Sequence, residues 1–261
     1  MRVKKERIPK KNNIGAQSID RALSILNCFD FHHQTLTASQ LSKKLGLTSP
    51  TTQRMLRSLV SHRLLEYNDK AGYYQLGFRS FELGCIAQCS IPMIDEAKEI
   101  MLKLHHETVQ TVRLAIVDGD EFVNISSIDS NDVFGIYSPV GIRRPLVSGS
   151  FGKAILSTYP QQYLQEYLLV HTLPALTSNS ITDKSLYMNE LSIVRARGFA
   201  TDKEEFCNGV CSVAAPIAGT DGLAIGVIAV TFPVIKFTEA KVAEWGQLVR
   251  QGGLSLSKNL S

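Results

Sequence analysis

The run Ser49-Pro50-Thr51-Thr52-Gln53-Arg54, with Arg57 and Ser58 just beyond it, sets hydroxyls, an amide and two guanidinium groups at the start of a helical stretch. That is the chemistry of nucleic-acid contact. Hydroxyls and backbone N–H groups at a helix start anchor a phosphate. Gln53 can bond adenine in bidentate fashion, and Arg54 or Arg57 can reach guanine or a phosphate. A second stretch, Ser148-Gly149-Ser150-Phe151-Gly152-Lys153, is a small-residue loop running into a helix. Its N–H groups and helix dipole can receive an anion; a glycine-rich helix entry with no ligand is the alternative. The stretch is not a P-loop, since no Gly precedes Gly152 at the required spacing and Ala154 stands where Ser or Thr is needed. Ser150-x-x-Lys153 matches the nucleophile motif of penicillin-binding proteins, but the companion SDN and KTG motifs are absent. Asp202 with Lys203-Glu204-Glu205 could supply paired carboxylates for acid–base work. No nucleophile or base is tied to them by spacing, and a charged turn before a strand is the simpler reading. Cys85/Cys89 and Cys207/Cys211 stand four apart, and His32-His33 and His105-His106 are adjacent. Neither pattern is a metal knuckle, so core cysteines, surface histidines and no metal or cofactor are expected.

The elements that must carry these groups can be read from periodicity and turn chemistry. Ser18 is a suitable cap for a first helix with Ile19, Ala22, Leu23, Leu26 and Phe29 on one face. A second helix follows Thr37, buries Leu41 and Leu45, and stops at Gly46. After the turn Leu47-Thr48-Ser49, Pro50 suits the first position of a third helix capped by Ser49. Thr52, Met55, Leu56, Leu59 and Val60 form its apolar face and leave Ser49, Thr51, Gln53, Arg54 and Arg57 opposite. Two short helices joined by a tight glycine-containing turn form a helix-turn-helix. Behind it, Leu64–Tyr67 and Tyr73–Leu76 are β-prone runs around the turn Asn68–Gly72. This hairpin is a wing with Lys70 at its tip. A three-helix packing module with no nucleic-acid role is the plain alternative, and the charge argues against it. Residues 1–80 hold 14 Lys/Arg against 5 Asp/Glu, whereas residues 81–261 hold 14 against 19. A basic front and an acidic back place a polyanion at the front.

Three further stretches complete the pattern. QSIDRALSILNCF, then LTASQLSKKLGLTSPTTQRMLRSLVSHRLLEY, then YYQLGFRSFELG, resemble the N-terminal domain of IclR-type bacterial regulators. TVRLAIVDGDEFVNISSIDS, IYSPVGIRRPLVSGSFGKAIL, ITDKSLYMNELSIVRARGFATDKEEFCNGVCSVAAPI and GVIAVTFP follow in that family's order. The resemblance covers nearly the whole chain from Gln17 onward. It implies an α/β effector domain related to GAF-type sensors, a linker helix, and dimers or tetramers on palindromic double-stranded DNA operators. It also implies an effector pocket built from Ser150 and Phe151, from Asp202, and from strand positions Val210, Ser212, Ala229 and Thr231, with Val133 and Ile136 on the same cavity. Where relatives carry a small pair and a Ser, this chain has Phe151 and Ala229, which would tighten the pocket or make it more apolar. Small carboxylates, including sugar acids and aromatic acids, are the effector class that the loop and the resemblance together suggest. Asp202 would suit ligand hydroxyls better than the carboxylate itself.

On its own residues the rest of the chain reads as mixed helix and strand. Helices are expected from Phe78 to about Cys89, from Pro92 through His105, and over 151–158, 160–169, 183–197 and 238–256. Strands are expected over 111–117, 122–128, 210–217 and 223–231. The fold class is therefore α+β multidomain: a winged helix-turn-helix plus a GAF-like α/β effector-binding domain. The expected boundaries are 1–14 for a basic disordered tail, 15–78 for the DNA-binding domain, 79–91 for the linker helix and 92–261 for the effector domain. Hydrophobic residues at 44% and charged residues at 20% are an ordinary globular composition. No apolar run approaches the ~20 residues of a membrane span, and MRVKKERIPKKNN lacks a signal peptide's apolar stretch, so a cytoplasmic protein is expected. The function expected is a ligand-responsive repressor of a catabolic operon and not an enzyme. Two alternatives remain: an enzyme acting on a small acid with an N-terminal dimerisation module, and a sequence-nonspecific nucleoid binder.

Overall fold

A computed structural model describes residues 14–130 and 138–260. The chain divides after Ser90 into two compact units. The first contains α1 (Ile14–Leu26), β1 (Thr35–Leu36), α2 (Ala38–Leu45), α3 (Ser49–Ser61), β2 (Leu65–Asn68), β3 (Tyr73–Leu76) and α4 (Phe78–Cys89). α2 is held at its start by a reciprocal capping box: Gln40 N–H donates to the Thr37 hydroxyl at 3.3 Å, and Thr37 N–H donates to Gln40 Oε1 at 2.7 Å. It ends because Gly46 takes a left-handed conformation, φ 62°, which costs a residue with a Cβ more than glycine. Ile25, Leu41, Met55, Leu56, Leu59, Leu65 and Tyr74 close the core over this turn.

Three expectations for this unit are corrected. α1 begins at Ile14, four residues before Ser18, so Ser18 lies inside the helix and caps nothing. The residue that α1 buries completely is Ile25, whereas Ile19 and Leu23 are 62% and 52% exposed; a broad apolar stripe does not reveal which of its edges meets the core. The cap of α3 is Thr48, not Ser49, and Pro50 takes the second helical position. Proline is tolerated there because no first-turn N–H has an intrahelical acceptor. The wing lies as expected, with β2 and β3 antiparallel, but β1 adds a third strand through Leu36 opposite Tyr74. Two residues are too short to carry a period.

The second unit contains α5 (Pro92–Thr108), β4 (Thr111–Asp118), β5 (Glu121–Ile128), β6 (Arg143–Pro145), α6 (Gly149–Leu156), α7 (Gln161–Val170), α8 (Lys184–Arg197), β7 (Ala200–Lys203), β8 (Val210–Ala218), β9 (Ala224–Pro233) and α9 (Glu239–Asn259). The strands form one antiparallel sheet ordered β6-β5-β4-β9-β8-β7. Strand side chains alternate between faces, and here the alternation separates two cores. Val112, Leu114, Cys211, Val213, Ile228 and Val230 join Met101 and Leu104 of α5 and Trp245 and Val249 of α9. Ala200, Ala214, Ala229 and Val227 join Ile155 of α6, Leu164 of α7 and Leu191 of α8. Short β6 and β7 were not expected. Asp202 and Lys203 belong to β7, so only Glu204 and Glu205 remain of the expected charged turn. No described helix is long and apolar enough to cross a membrane.

Candidate functional site

In the first unit, packing Thr52, Met55, Leu56 and Leu59 inward turns the opposite side of α3 to solvent. Ser49, Arg54 and Arg57 are exposed there, and Thr51 and Gln53 are half-buried. The Thr48 hydroxyl donates to that of Thr51 at 3.0 Å, which fixes one hydroxyl at the helix start. Lys70 is exposed at the wing tip, where Asn68 Oδ1 accepts its backbone N–H at 3.1 Å. Lys43 and Lys44 are exposed in the last turn of α2.

In the second unit, sheet register builds the pocket floor. Asp202 lies opposite Ser212, Ser212 opposite Thr231, and Thr231 opposite Thr111, so four polar side chains cross four strands on one face. Two residues along the same face runs a second row, Ala200, Ala214, Ala229 and Arg113. Three alanines leave room for α6, whose Gly152 sits so close to the Leu146 carbonyl that a Cβ would strike it. α6 therefore lies down on the alanine row, and its first turn overhangs the polar row. The Ser150 and Ser212 hydroxyls meet at 2.6 Å.

The result is a cavity of about 190 Å³ lined by Ser150, Phe151, Asp202, Val210, Ser212 and Thr231 together with Arg113, Phe122, Asn124, Arg144 and Phe206. Its walls are mixed. Phe122 and Phe151 stack with centroids 5.3 Å apart, and the Arg144 guanidinium lies 5.0 Å from the centre of the Phe206 ring. Arg113 is only 3% exposed; burial presses its pKa down, and Asp129 pulls it back up.

Behind the cavity lies an ionic layer. Lys153, 1% exposed, sets its ammonium 2.6 Å from Glu205 and 3.7 Å from Glu190. Arg197 reaches Glu190 at 3.4 Å. Asp202 accepts the backbone N–H of Glu205 at 2.8 Å, and the N–H groups of Ser150 and Phe206 also bond it. One α6 N–H expected to meet an anionic ligand is thus engaged by the protein's own carboxylate. Burial pushes the Asp202 carboxyl above its ordinary range, against these bonds and Lys153; burial pushes Glu205 up as well, with Lys153 again opposing. Lys153 is committed to this layer, and Ser150 to Ser212, so the Ser-x-x-Lys spacing does not assemble a nucleophile and its base.

Six effector positions implied by the resemblance come together: Ser150, Phe151, Asp202, Val210, Ser212 and Thr231. Ala229 does not join them; it belongs to the alanine row beneath α6, fully buried among Ala200, Ala214 and Ile155. Val133 and Ile136 lie outside the described residues, as does the expected tail to Asn13. Arg113, Asn124, Arg144 and Phe206 were not anticipated. Arg113 had a signal, a charge inside the apolar run TVRLAIV, which on a buried strand calls for a partner. The core-cysteine expectation holds for Cys28 and Cys211 only; Cys85, Cys89 and Cys207 are not buried, and all five are free. Among the described residues, no three His, Cys, Asp or Glu side chains are grouped to hold a metal ion.

Residues 87–258 match the domain family described as bacterial transcriptional regulator IclR C-terminal, and residues 18–69 match the IclR helix-turn-helix domain. The transcriptional regulator XynR of Escherichia coli K12 is 30% identical over 244 residues, covering 94% of this chain and 97% of XynR. The transcriptional repressor AllR of the same strain is 26% identical, covering 94% and 91%. A crystal structure of an IclR homologue from Microbacterium hydrocarbonoxydans, complexed with 4-hydroxybenzoate, has the same fold: TM-score 0.80 at 20% identity, covering 93% of this chain and 98% of that one. A winged helix-turn-helix followed by a pocketed α/β unit, matched across both parts, makes this chain a member of the IclR family of bacterial transcriptional regulators.

Proposed function

We propose that the protein is a ligand-responsive regulator of a catabolic operon that binds a palindromic operator as a homo-oligomer and senses a small carboxylate. The observation that carries the sensing role is the cavity lined by Arg113 and Arg144 together with the row Asp202–Ser212–Thr231. A guanidinium offers paired donors in the geometry of a carboxylate, and the hydroxyl row suits the rest of a polar acid. The same fold in the Microbacterium homologue holds 4-hydroxybenzoate, an acid of the size and mixed polarity that such a cavity favours. Repression is the sign of control we propose, in line with AllR. Ser49, Thr51, Gln53, Arg54, Arg57 and Lys70 are the proposed DNA contacts. Phe78, Phe81 and Ile86, 70%, 68% and 59% exposed along α4, offer apolar surface to a second copy. We place the protein in the cytoplasm and assign it no catalytic activity.

The test is fluorescence anisotropy on DNA from upstream of the gene against a scrambled duplex, over a salt series, with and without small acids. A preference of ~10³-fold, steeply salt-dependent, is expected for a specific regulator. An effective acid should shift operator affinity by ~5–150-fold. Equal binding to both duplexes would favour a nucleoid role, and saturating acid that leaves operator affinity unchanged would sink the sensing role.

A further inference from the structure

Resting on the effector reading of this cavity, we infer that Arg144 and Cys207 form a carboxylate-directed thiol site at its mouth. An electrophilic small acid docks on the guanidinium there and is captured by the sulfur. Both residues line the cavity. Cys207 is exposed and Arg144 half-buried, so this part of the wall opens to solvent. Atoms deeper in the wall mark the chamber as one that takes an occupant. The Thr231 hydroxyl and Asn124 Oδ1, on residues 4% and 3% exposed, have no hydrogen-bond partner among the described residues. Buried polar atoms in that condition are uncommon and call for an explanation. They stand on separate strands, opposite Thr111 and Ala115, so they mark the chamber and not one contact point.

The charge at the mouth belongs to Arg144. Its guanidinium lies 5.0 Å from the centre of the Phe206 ring and has no hydrogen bond or ion pair with a described residue. Burial presses its pKa down, and Cys207 beside it pulls it back up. Asp202 lines the same cavity, but the N–H groups of Ser150, Glu205 and Phe206 hold its carboxyl, and Lys153 is the cation it faces. Glu204 accepts the Gly209 N–H at 2.7 Å. The loop that carries the thiol is fixed. Glu204 is left-handed, φ 59°, and its N–H donates to the Val210 carbonyl at 3.0 Å. The Thr177 and Ser180 hydroxyls donate to the Glu204 and Glu205 carbonyls at 2.6 and 2.7 Å. The Cys207 thiol itself makes a weak contact, 3.6 Å to the Asn208 carbonyl. Reactive cysteines sit in electropositive, partly exposed surroundings, and here Arg144 supplies the cation. With an α,β-unsaturated acid the sulfur bonds the β-carbon, the π pair moves to the α-carbon, and that carbon takes up the proton the thiol gave up. With a haloacid the S–C bond forms, the carbon–halogen bond breaks, the halide leaves with its electron pair and the thiol proton passes to water.

The experiment is alkylation of the full chain with iodoacetate and with its neutral counterpart iodoacetamide, Cys207 being followed by peptide mass spectrometry. N-acetylcysteine in the same tube is the free-thiol reference. The iodoacetate-to-iodoacetamide rate ratio at Cys207 should exceed that of the free thiol about fivefold or more, the scale of a partly exposed ion pair. Arg144→Gln should return the ratio to that of the free thiol, and Arg144→Lys should keep part of the excess. Added salt should shrink the excess in the unaltered protein, which tests the same charge with no substitution and no risk to folding. Propanoate or benzoate at millimolar concentration should slow the reaction with iodoacetate. A ratio no higher than that of the free thiol, an excess that survives Arg144→Gln and salt, or a Cys207 inert to both reagents would overturn the site. An ordinary ratio alongside acids that shift operator affinity sinks this inference and leaves the effector reading standing. A raised ratio, lost in Arg144→Gln, alongside acids that leave operator affinity unchanged supports the thiol site and sinks the effector reading.

Discussion

Lys153 is the residue whose surroundings differ most from its usual setting, since a lysine ammonium is almost never fully buried without partners. Here Glu205 and Glu190 surround it, and α6, α8 and the segment after β7 are joined through one charge. Lys153→Met should destabilise the second unit by ~3–5 kcal/mol, because it leaves buried carboxylates uncompensated. Adding Glu205→Gln should restore part of the loss, and thermal unfolding of the single and double variants measures both effects. Asp202 carries a pH consequence. Burial raises its pKa, so the native state takes up a proton before the unfolded chain does. Stability linked to this group is greatest on the acid side and declines as pH rises through its native titration. The same proton removes an anion from the cavity. Affinity for an acid that itself stays ionised should therefore increase as pH is lowered through the native titration of Asp202, and Asp202→Asn should flatten that rise in a calorimetric series.

Among the elements, α6 decides the shape of the pocket. Its approach to the sheet depends on Ala200, Ala214 and Ala229 on one side and on Gly152 against the Leu146 carbonyl on the other. Gly152→Ala should push α6 off the alanine row, lower the melting temperature and weaken acid binding together, since one displacement moves Ser150 and Phe151. Preserved affinity with lowered stability would separate α6 position from the site. α3 and the wing make a different kind of surface, rigid beneath and charged above. Arg54→Ala should cost ~1–3 kcal/mol of operator affinity and relax base preference if it reads a base. Lys70→Ala should weaken binding to all duplexes alike and reduce the salt slope by ~1. Anisotropy on matched and mismatched duplexes distinguishes the two outcomes.

At the scale of the molecule, the basic and acidic halves correspond to two units with separate cores. The proposed DNA-contact face and the proposed effector cavity are thereby on different folding units. Residues 91–261 expressed alone should melt cooperatively and bind the same acids as the full chain within a few-fold, because the second unit's cores and cavity are drawn from its own strands and helices. A fragment that is folded yet unable to bind would mean that the first unit completes the site.

Local chemistry was enough to recover most elements from the residues alone. Thr37, Gly46, Pro92, Asp118-Gly119 and Thr220-Asp221-Gly222 punctuate the chain, and caps and turns depend on neighbours within four residues. The exposed face of α3 was legible for the same reason, since helical spacing alone separates buried Met55 and Leu56 from exposed Arg54 and Arg57. The pocket was legible only in part. Ser150 and Asp202 were named from a resemblance, but their meeting is a matter of strand order: β7, β8 and β9 must lie side by side before Asp202, Ser212 and Thr231 form a row. Ala229 lies in the row beneath α6 and not among the cavity-lining residues, because a one-row step along a strand separates a pocket wall from a helix seat and nothing local marks that step. Asn124 and Arg113 face the cavity because β5 and β4 pair in a register that no stretch of sequence states. The short strands β6 and β7 have too few residues for a period of two to emerge. Local propensity and spacing act along the chain, whereas burial and register arise between segments distant in it, so the tertiary structure alone could turn scattered polar residues into one cavity.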